Sequence, residues 1–178
     1  MRLKYFGIGV IKLVSKLIMM MGCPGAGKST WAKEHTTIFD DYISRDEIRF
    51  ALVSPDEEYF SKEDAVWKSF TRQLDMALKR GGTVWADATH LSQRSRLKLL
   101  NALKIKPDEI EIVYIKVPLE TALRQNEMRE GTRAYVPPKS IENMWRAIQE
   151  PEFHEGQYTY DTIYIVEPGK PIEIKKEA

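Results

Sequence analysis

Residues 21–32, MGCPGAGKSTWA, contain the spacing G-x-x-x-x-G-K-[S/T]. Glycines at these places let a loop turn tightly, so that its backbone N–H groups and the following helix terminus bind phosphate. The lysine of this pattern reaches the β and γ phosphates of a nucleoside triphosphate, and the serine hydroxyl is a ligand for Mg²⁺. The pattern therefore predicts a nucleotide site made by Gly22, Cys23, Pro24, Gly25, Ala26, Gly27, Lys28, Ser29 and Thr30, with Ser29 as the Mg²⁺ ligand.

The stretch SRDEIR, residues 44–49, carries a second set of reactive groups. Asp46 and Arg49 are three residues apart and share a face if the stretch is helical. Phosphoryl transfer to a hydroxyl uses a carboxylate that accepts the hydroxyl proton, and arginine is well suited to hold a phosphate of the acceptor. Asp46 is thus a candidate general base and Arg49 a candidate acceptor-binding residue, although a capping aspartate with a surface arginine is the alternative.

Asp87 ends the apolar run TVWAD, where a carboxylate can hold a Mg²⁺-bound water or position the phosphate loop. A cap at the end of a strand is the alternative interpretation of this residue. Arg94 and Arg96 follow at the start of the next predicted helix. They are expected either to contact backbone phosphates of an acceptor or to lie on a solvated surface.

The segment LRQNEMREGTRAYVPP, residues 123–138, has the composition of a lid. An arginine on a mobile segment can close over a nucleotide and neutralise the charge that develops on the transferred phosphoryl group. Arg124, Arg129 and Arg133 are the candidates. Ion pairs with neighbouring glutamates on an exposed helix are the alternative for all three.

Alternating strands and helices must position these residues. Apolar runs predict strands over 16–22, 37–44, 83–87, 109–117 and 161–166. Helical spacing and stop signals predict helices over 28–34, from Ser44 or Asp46 onward, 61–80, 92–104, 119–129 and 140–149. This alternation predicts an α/β fold with a mostly parallel central sheet flanked by helices. Ligands of such sheets lie beyond the carboxyl ends of the strands, so the segments at Gly22, Ser44, Asp87 and Pro118 should converge on one crevice.

Length and charge allow a nucleic-acid partner without requiring one. The 178 residues suit one domain, and the net charge of +1 is near zero. Residues 72–106, however, hold eight basic and two acidic residues. Such a local basic surface can hold a polyanion, although a pair of solvated helices would have the same composition. The single cysteine, Cys23, excludes a disulfide within the chain and fits a reducing compartment such as the cytoplasm.

The first residues, MRLKYFGIGVIKLV, combine a basic start with a short apolar run. Lys12 interrupts the run, no A-x-A-like cleavage site follows, and the run is too short to span a bilayer. We therefore predict an N-terminal extension over 1–15, one domain over 16–178, and no membrane partner. A targeting segment is the alternative.

The combination of GCPGAGKSTWA, SRDEIR, DATHL and an arginine-bearing segment before VP resembles the kinase domain of phage and bacterial 5′-polynucleotide kinases. These belong to a family of small P-loop kinases that also includes tRNA- and drug-modifying kinases. The resemblance spans about residues 16–166. It implies a P-loop kinase fold with a helical lid at about 119–138. It also implies transfer of the γ-phosphate of ATP, with Mg²⁺, to the 5′-OH end of RNA or DNA.

The resemblance also implies roles for individual residues. Asp46 would be the general base, and Lys28 with Arg129, in the N-x-x-R pattern that starts at Asn126, would stabilise the transferring group. His90 replaces the usual asparagine of the family. The resemblance implies that the acceptor is bound by Arg45, Arg49, Asp87 and Thr89.

Two other functions stay open at this stage. One is the same chemistry on a small-molecule or tRNA-linked hydroxyl. The other is a non-catalytic ATP-binding adaptor. A GTPase is disfavoured because the chain has no N-K-x-D-like guanine motif.

Overall fold

A computed structural model describes residues 3–6 and 10–177 and places a six-stranded sheet at the centre. Small antiparallel pairs accompany the sheet. The strands are β1 Leu3–Phe6, β2 Val10–Leu13, β3 Ser15–Met21, β4 Asp41–Ser44, β5 Gly82–Asp87, β6 Glu109–Ile115, β7 His154–Glu155, β8 Tyr158–Thr159, β9 Thr162–Val166 and β10 Glu173–Lys176. The helices are α1 Lys28–His35, α2 Arg45–Leu52, α3 Glu63–Arg80, α4 Gln93–Ala102, α5 Leu119–Glu127 and α6 Pro138–Arg146.

The strand order is β10-β9-β6-β3-β5-β4. All neighbouring pairs run parallel except the edge pair of β10 with β9. The mostly parallel sheet predicted from the sequence is therefore confirmed. Because parallel strands end at one edge, β3, β4, β5 and β6 deliver the segments that follow them to the same side of the sheet.

Helices cover both faces of the sheet, and β3 shows how the sequence divides them. Its residues Leu17, Met19 and Met21 pack into one core with α2, α3 and α4. The alternate residues Ile18 and Met20 pack into a second core with α1, α5 and α6. This alternation follows from the two-residue period of a strand, and it explains why a continuous apolar run was required here.

β7, β8 and β10 are not among the strands predicted from the sequence. In the C-terminal tail, β10 pairs with β9. All four residues of β10 are exposed, so no hydrophobic alternation signals this strand. The short β7–β8 pair also went unpredicted, apart from its glycine turn at Gly156.

The predicted extension over 1–15 lies partly outside the described residues, since residues 1, 2 and 7–9 are not described. The described residues before position 14 form the β1–β2 hairpin. Ser15 is already fully buried and begins the central strand, one residue before the predicted boundary. No helix in the part of the chain that the structure describes has the length and apolar character to cross a membrane.

Candidate active site

The phosphate loop joins β3 to α1 and depends on close backbone approach. Gly25 has φ +80°, and a Cβ there would lie 2.3 Å from the carbonyl oxygen of Ala122 on α5. Gly22 has φ +148°, and its Cβ would lie 2.8 Å from the carbonyl oxygen of Ile115. Any side chain at either position would therefore displace neighbouring backbone, so these glycines allow the loop to pack directly against β6 and α5.

Lys28 lies folded over this loop. Its Nζ donates a hydrogen bond of 2.9 Å to the carbonyl oxygen of Cys23. Burial lowers the pKa of the Lys28 ammonium, and the carboxylates of Asp87 and Asp46 act in the opposite direction. Asp46 on α2 is therefore within electrostatic reach of the loop lysine. Burial raises the pKa of the Cys23 thiol to about 11, so this thiol stays protonated at neutral pH.

Ser29, Asp87 and Tyr42 meet on one carboxylate oxygen. The Ser29 hydroxyl donates to Asp87 Oδ2 at 2.6 Å, and the Tyr42 hydroxyl donates to the same oxygen at 2.5 Å. Burial and the hydrogen bond to Asp87 raise the pKa of Tyr42, so the phenol remains a donor. A serine hydroxyl beside a carboxylate fits Mg²⁺ held mainly by phosphates and water. Among the described residues, no cluster of three or more His, Cys, Asp or Glu could hold a metal by itself.

The segment after β5 forms the floor under the loop. The backbone N–H of Gly22 donates to the carbonyl oxygen of Thr89 at 3.1 Å, and His90 Nδ1 lies 2.8 Å from the carbonyl oxygen of Met20. His90 has φ +44°, a left-handed conformation in which asparagine and histidine are both enriched. Burial lowers the His90 pKa to about 4, so the ring is neutral at physiological pH. Because both residues tolerate this left-handed conformation, histidine can replace the asparagine that the 5′-polynucleotide kinases usually have here.

Arg96 was expected either to contact acceptor phosphates or to lie on a solvated surface, and both expectations were wrong. This residue is 0% exposed, forms an ion pair with buried Glu155, and donates to the carbonyl oxygen of His90 at 3.1 Å. It therefore holds the floor segment from inside the core and touches neither solvent nor a possible acceptor. The partner lies 59 positions further along the chain, a distance at which sequence spacing gives no signal. Arg94 is exposed, as one of the two expectations allowed.

The predicted acceptor end of the site, with Arg45, Asp46 and Arg49, is built on α2. Ser44 is the N-cap of this helix, and its side chain accepts from the backbone N–H of Glu47, so Asp46 is not the capping residue. Asp46 and Arg49 lie on one face and form an ion pair. The Asp46 side chain is 65% exposed, whereas that of Arg49 is 6% exposed.

Glu63 at the start of α3 neutralises both arginines of this end. Arg49 Nη2 donates to Glu63 Oε2 at 2.8 Å, and Arg45 pairs with the other oxygen of the same carboxylate. Burial opposes ionisation of Glu63, but the hydrogen bond from Arg49 and the charge of Arg45 outweigh it and lower the Glu63 pKa. The acceptor end thus contains charges that are already paired with one another.

Two aromatic rings complete the acceptor end. The Tyr59 hydroxyl donates to Asp46 Oδ1 at 3.1 Å, and its ring lies 4.7 Å from the Arg49 guanidinium. The Phe60 ring stands edge-on to Tyr59, 5.4 Å from the same guanidinium, and is 60% exposed. An exposed phenylalanine beside a candidate base is a surface on which a flat apolar group can lie.

Of the three lid arginines, only Arg129 lines the cleft. Arg133 instead donates to the carbonyl oxygens of Phe50 and Val53 at the end of α2, at 3.0 and 2.5 Å. Arg124 is exposed on α5 and does not line the cleft. Buried Asn126 closes the loop after α5 through hydrogen bonds in both directions with the backbone of Val136. The N-x-x-R pattern therefore contains Asn126, which holds the loop after α5, and Arg129, which lines the cleft.

One cleft contains both ends of the site. Asp46 and Arg49 line this cleft, and so do Lys28 and Ser29. The remaining predicted residues in its wall are Pro24, Gly25, Gly27, Arg45, Asp87, Thr89 and Arg129. Four other predicted nucleotide contacts lie in the loop or on α1 without lining the cleft, namely Gly22, Cys23, Ala26 and Thr30.

Residues 17–151 match the family described as an AAA domain. The chain belongs to this family. Its fold is that of a P-loop kinase. Kti12 from Chaetomium thermophilum, solved with ADP-AlF3, has a TM-score of 0.61 at 19% identity, with 86% of this chain and 89% of that chain covered. At this identity the match supports the fold alone.

Two further similarities are closer in sequence to this AAA-domain chain. The L-seryl-tRNA(Sec) kinase of Methanococcus maripaludis is 27% identical over 141 residues, which cover 76% of this chain and 53% of that protein. A chain of the Pnkp1/Rnl/Hen1 RNA repair complex has a TM-score of 0.62 at 26% identity, with 76% of this chain and 44% of that chain covered. The chain thus spans about half the length of the curated relative.

Within this AAA domain, sequence reasoning missed four residues of the cleft region: Tyr42, Tyr59, Phe60 and Glu63. Tyr42 becomes visible only once β4 is placed beside β5, where it can reach Asp87. The other three lie in a stretch rich in acidic residues that carries no recognised motif. No sequence signal pairs Glu63 with Arg45 and Arg49, because these contacts depend on the packing of α3 beside α2.

Proposed function

We propose that this chain is an ATP-dependent polynucleotide 5′-hydroxyl kinase. The observation that carries the proposal is one cleft whose wall includes Asp46 and Arg49 together with Lys28 and Ser29, with Asp46 close enough to act electrostatically on Lys28. A carboxylate opposite a phosphate-binding loop is the arrangement that phosphoryl transfer to a hydroxyl requires. The chain covers only about half of the tRNA kinase and of the RNA repair chain, so the activity of the whole protein is part of this proposal.

The donor end fits ATP and Mg²⁺. Gly22 and Gly25 leave no room for a Cβ, and Lys28 donates to a loop carbonyl that triphosphate oxygens can replace. Ser29 and Asp87 would hold the metal, with Asp87 acting directly or through a water molecule. When bound, ATP supplies the phosphoryl group, and Lys28 and Arg129 stabilise the negative charge on it.

Asp46 receives the proton of the acceptor hydroxyl. The hydroxyl oxygen forms a bond to the γ-phosphorus, the bond from that phosphorus to the β–γ bridging oxygen breaks, and ADP leaves. The Tyr59 hydroxyl and Arg49 hold the Asp46 carboxylate in the cleft. Because the Asp46 side chain is largely exposed there, an incoming hydroxyl can reach it without displacing the core.

The acceptor end favours a nucleotide over a small neutral acceptor. Arg45 and Arg49 offer two guanidinium groups to a phosphodiester, and Phe60 offers an exposed ring to a nucleobase. A sugar acceptor would use neither feature. The names of the tRNA kinase and of the RNA repair complex also concern RNA, which supports this choice.

The test is transfer of labelled phosphate from ATP to matched RNA and DNA 20-mers that carry a 5′-OH, with the 5′-phosphorylated strands as controls. We expect label on the 5′-OH strands alone. Label on a panel of small hydroxyl compounds, with none on either oligonucleotide, would contradict the proposal. ATP binding without transfer to any acceptor would indicate a non-catalytic adaptor.

A tRNA-linked hydroxyl is the second candidate, and the L-seryl-tRNA(Sec) kinase relative favours it. The same cleft chemistry would serve a seryl hydroxyl. Incubation with seryl-tRNA and with a 5′-OH RNA of equal length separates the two candidates. Label that is released with the amino acid on mild alkaline deacylation indicates this second function, whereas label that stays on the RNA indicates the first.

A further inference from the structure

A second concave surface lies away from the cleft, between α3 and the segment that follows α4. We call it the α3 groove. Its apolar floor includes Met76 and Ile105, and four cationic residues stand around it: Lys68, Arg72, Lys79 and Lys104. All four are exposed.

These four cations have no acidic partner, as is also true of Arg94, Lys98 and Arg124 elsewhere on the described surface. Among the described residues, no carboxylate lies within 4.0 Å of any of the four cationic groups. The one acid of the groove, Asp75, accepts hydrogen bonds of 2.9 Å from the backbone N–H groups of Lys104 and Ile105. The Asp75 carboxylate is therefore already hydrogen-bonded to the backbone that follows α4. In contrast, exposed lysines such as Lys116 and Lys170 are paired with glutamates.

Trp67 connects this groove to the cleft. The Arg45 guanidinium, in the wall of the cleft, lies 5.3 Å from the Trp67 ring, and Lys98 Nζ lies 4.7 Å from the same ring. On the groove side, the Thr71 hydroxyl donates to the Trp67 carbonyl oxygen at 3.0 Å, and Thr71 lines the groove. Cations thus occur both at Trp67, beside the cleft residue Arg45, and further along α3 in the groove, with Glu63, Asp64 and Asp75 as the acidic residues of the same helix.

The spacing along α3 suits a chain of phosphates. Lys68 and Arg72 are four residues apart on the helix, and Lys79 lies seven residues further. At the rise of an α-helix, Lys68 to Lys79 covers about 16 Å, which is the length of a few nucleotides of a single strand. Groups of exposed cations without partners gain most from a polyanion, because binding releases its counterions.

We propose that the α3 groove binds the sugar–phosphate backbone of the acceptor strand and leads it away from the 5′ end held in the cleft. This inference rests on the proposed function, since it assumes a strand whose end enters the cleft. The inference predicts that a long acceptor strand binds more tightly than a single nucleotide. The rate of phosphoryl transfer itself should be the same for both.

The test compares two quadruple variants with equal change in charge. The groove variant is Lys68→Ala, Arg72→Ala, Lys79→Ala and Lys104→Ala. The control variant is Lys116→Ala, Lys139→Ala, Lys170→Ala and Lys175→Ala, which removes four exposed lysines that have glutamate partners. Both are titrated with a 3′-labelled single-stranded RNA 20-mer by fluorescence anisotropy at several salt concentrations. Both are also assayed with the 20-mer and with a nucleoside 3′-monophosphate as acceptors.

We expect the groove variant to raise the Kd and KM of the 20-mer about 10-fold or more at 0.1 M salt. The slope of log K against log salt should become shallower by about 2 to 3. The kcat and KM of the nucleoside monophosphate should stay within about twofold of the parent. The control variant should retain the parent Kd and slope.

An unchanged Kd and slope in the groove variant would overturn the proposal, even if the parent phosphorylates the strand. Equal losses in both variants would also overturn it, since charge alone would then explain binding. Binding of the parent to phosphatidylserine vesicles, with none to RNA, would assign the groove to a membrane surface and overturn it as well. Groove-dependent RNA binding by a parent that phosphorylates no 5′-OH strand would overturn the proposed function and keep the groove as a polyanion site.

Discussion

The two ends of the cleft are built in different ways. The donor end is made of glycine backbone and buried side chains, with Lys28 at 9% and Asp87 at 4% exposure. The acceptor end is made of side chains that pair with one another, and their exposure ranges from 6% for Arg49 to 65% for Asp46. A fixed backbone cradle suits one ligand chemistry, such as a polyphosphate. A network of paired side chains can change from one protein to another without changing the fold.

The largest expected effect comes from the donor end. Lys28→Met removes the only cation of the loop and should lower kcat about 10²- to 10³-fold on every acceptor tested, because charge on the transferring group loses a fixed partner. Steady-state kinetics with an oligonucleotide and with a nucleoside monophosphate measure it. Lys33→Met on the same helix is the control, since Lys33 is exposed and paired with Glu47. A loss confined to one acceptor would contradict the division between the ends.

Arg49→Lys should damage the acceptor end alone. A lysine cannot contact Asp46, Glu63 and an acceptor phosphate together, because it lacks the planar fork of arginine. We expect the KM of the oligonucleotide to rise about 10- to 100-fold and the KM of ATP to stay within about twofold. Arg80→Lys, at an exposed arginine paired with Asp41, should leave both values unchanged. An equal rise in both KM values would show that Arg49 also serves the donor.

Phe60→Ala tests the exposed ring of the acceptor end. Stacking of one base on an aromatic ring contributes about 1 to 3 kcal/mol, so the KM of an oligonucleotide should rise about 10-fold. Phe60→Tyr should restore most of the affinity. The control is Phe39→Ala, which removes a ring that is 85% exposed and does not line the cleft. A parent-like KM for Phe60→Ala would remove the nucleobase contact from the account.

His90→Asn should make the free energy of unfolding less sensitive to low pH. Activity at pH 7 should stay within about twofold of the parent. The folded pKa of about 4 lies below the ordinary value of 6.5, because burial disfavours the charged ring. The stability from this group is therefore fully present above pH 6.5 and is lost as the pH falls toward 4, by about 3 kcal/mol. Urea unfolding at pH 7 and pH 4.5 should show a steeper loss for the parent than for the variant. Equal losses would mean that His90 is not the titrating group.

The contrast between the two ends also decides how much of the site the sequence could predict. The donor loop is local, since Gly22 to Ser29 are adjacent in the chain and their spacing alone specifies the contacts. The Asp46–Arg49 pair was predictable for the same reason, as was the parallel sheet from its apolar runs. Glu63 and Phe60 were not, because their roles depend on how α3 and the loop before it pack beside α2.

Arg96 shows the same limit inside the core. Its neighbours Ser95 and Leu97 are half-buried and give no signal of a buried ion pair, and only the fold brings Glu155 to it. A charged side chain in an amphipathic helix usually lies in solvent, and burial with a partner is the exception. The exposed strand β10 escaped prediction for the converse reason, since its pairing with β9 needs no buried side chain.

The most direct test of the account is single-turnover phosphorylation of a 5′-OH RNA by Asp46→Asn, with ATP affinity measured on the same preparation. Loss of the proton acceptor should slow transfer about 10²- to 10⁴-fold. The Kd of ATP should stay within about twofold of the parent, because Asp46 touches no element of the loop. Transfer at near the parent rate would show that Asp46 does not take the proton, and the proposed link between the two ends of the cleft would then be wrong.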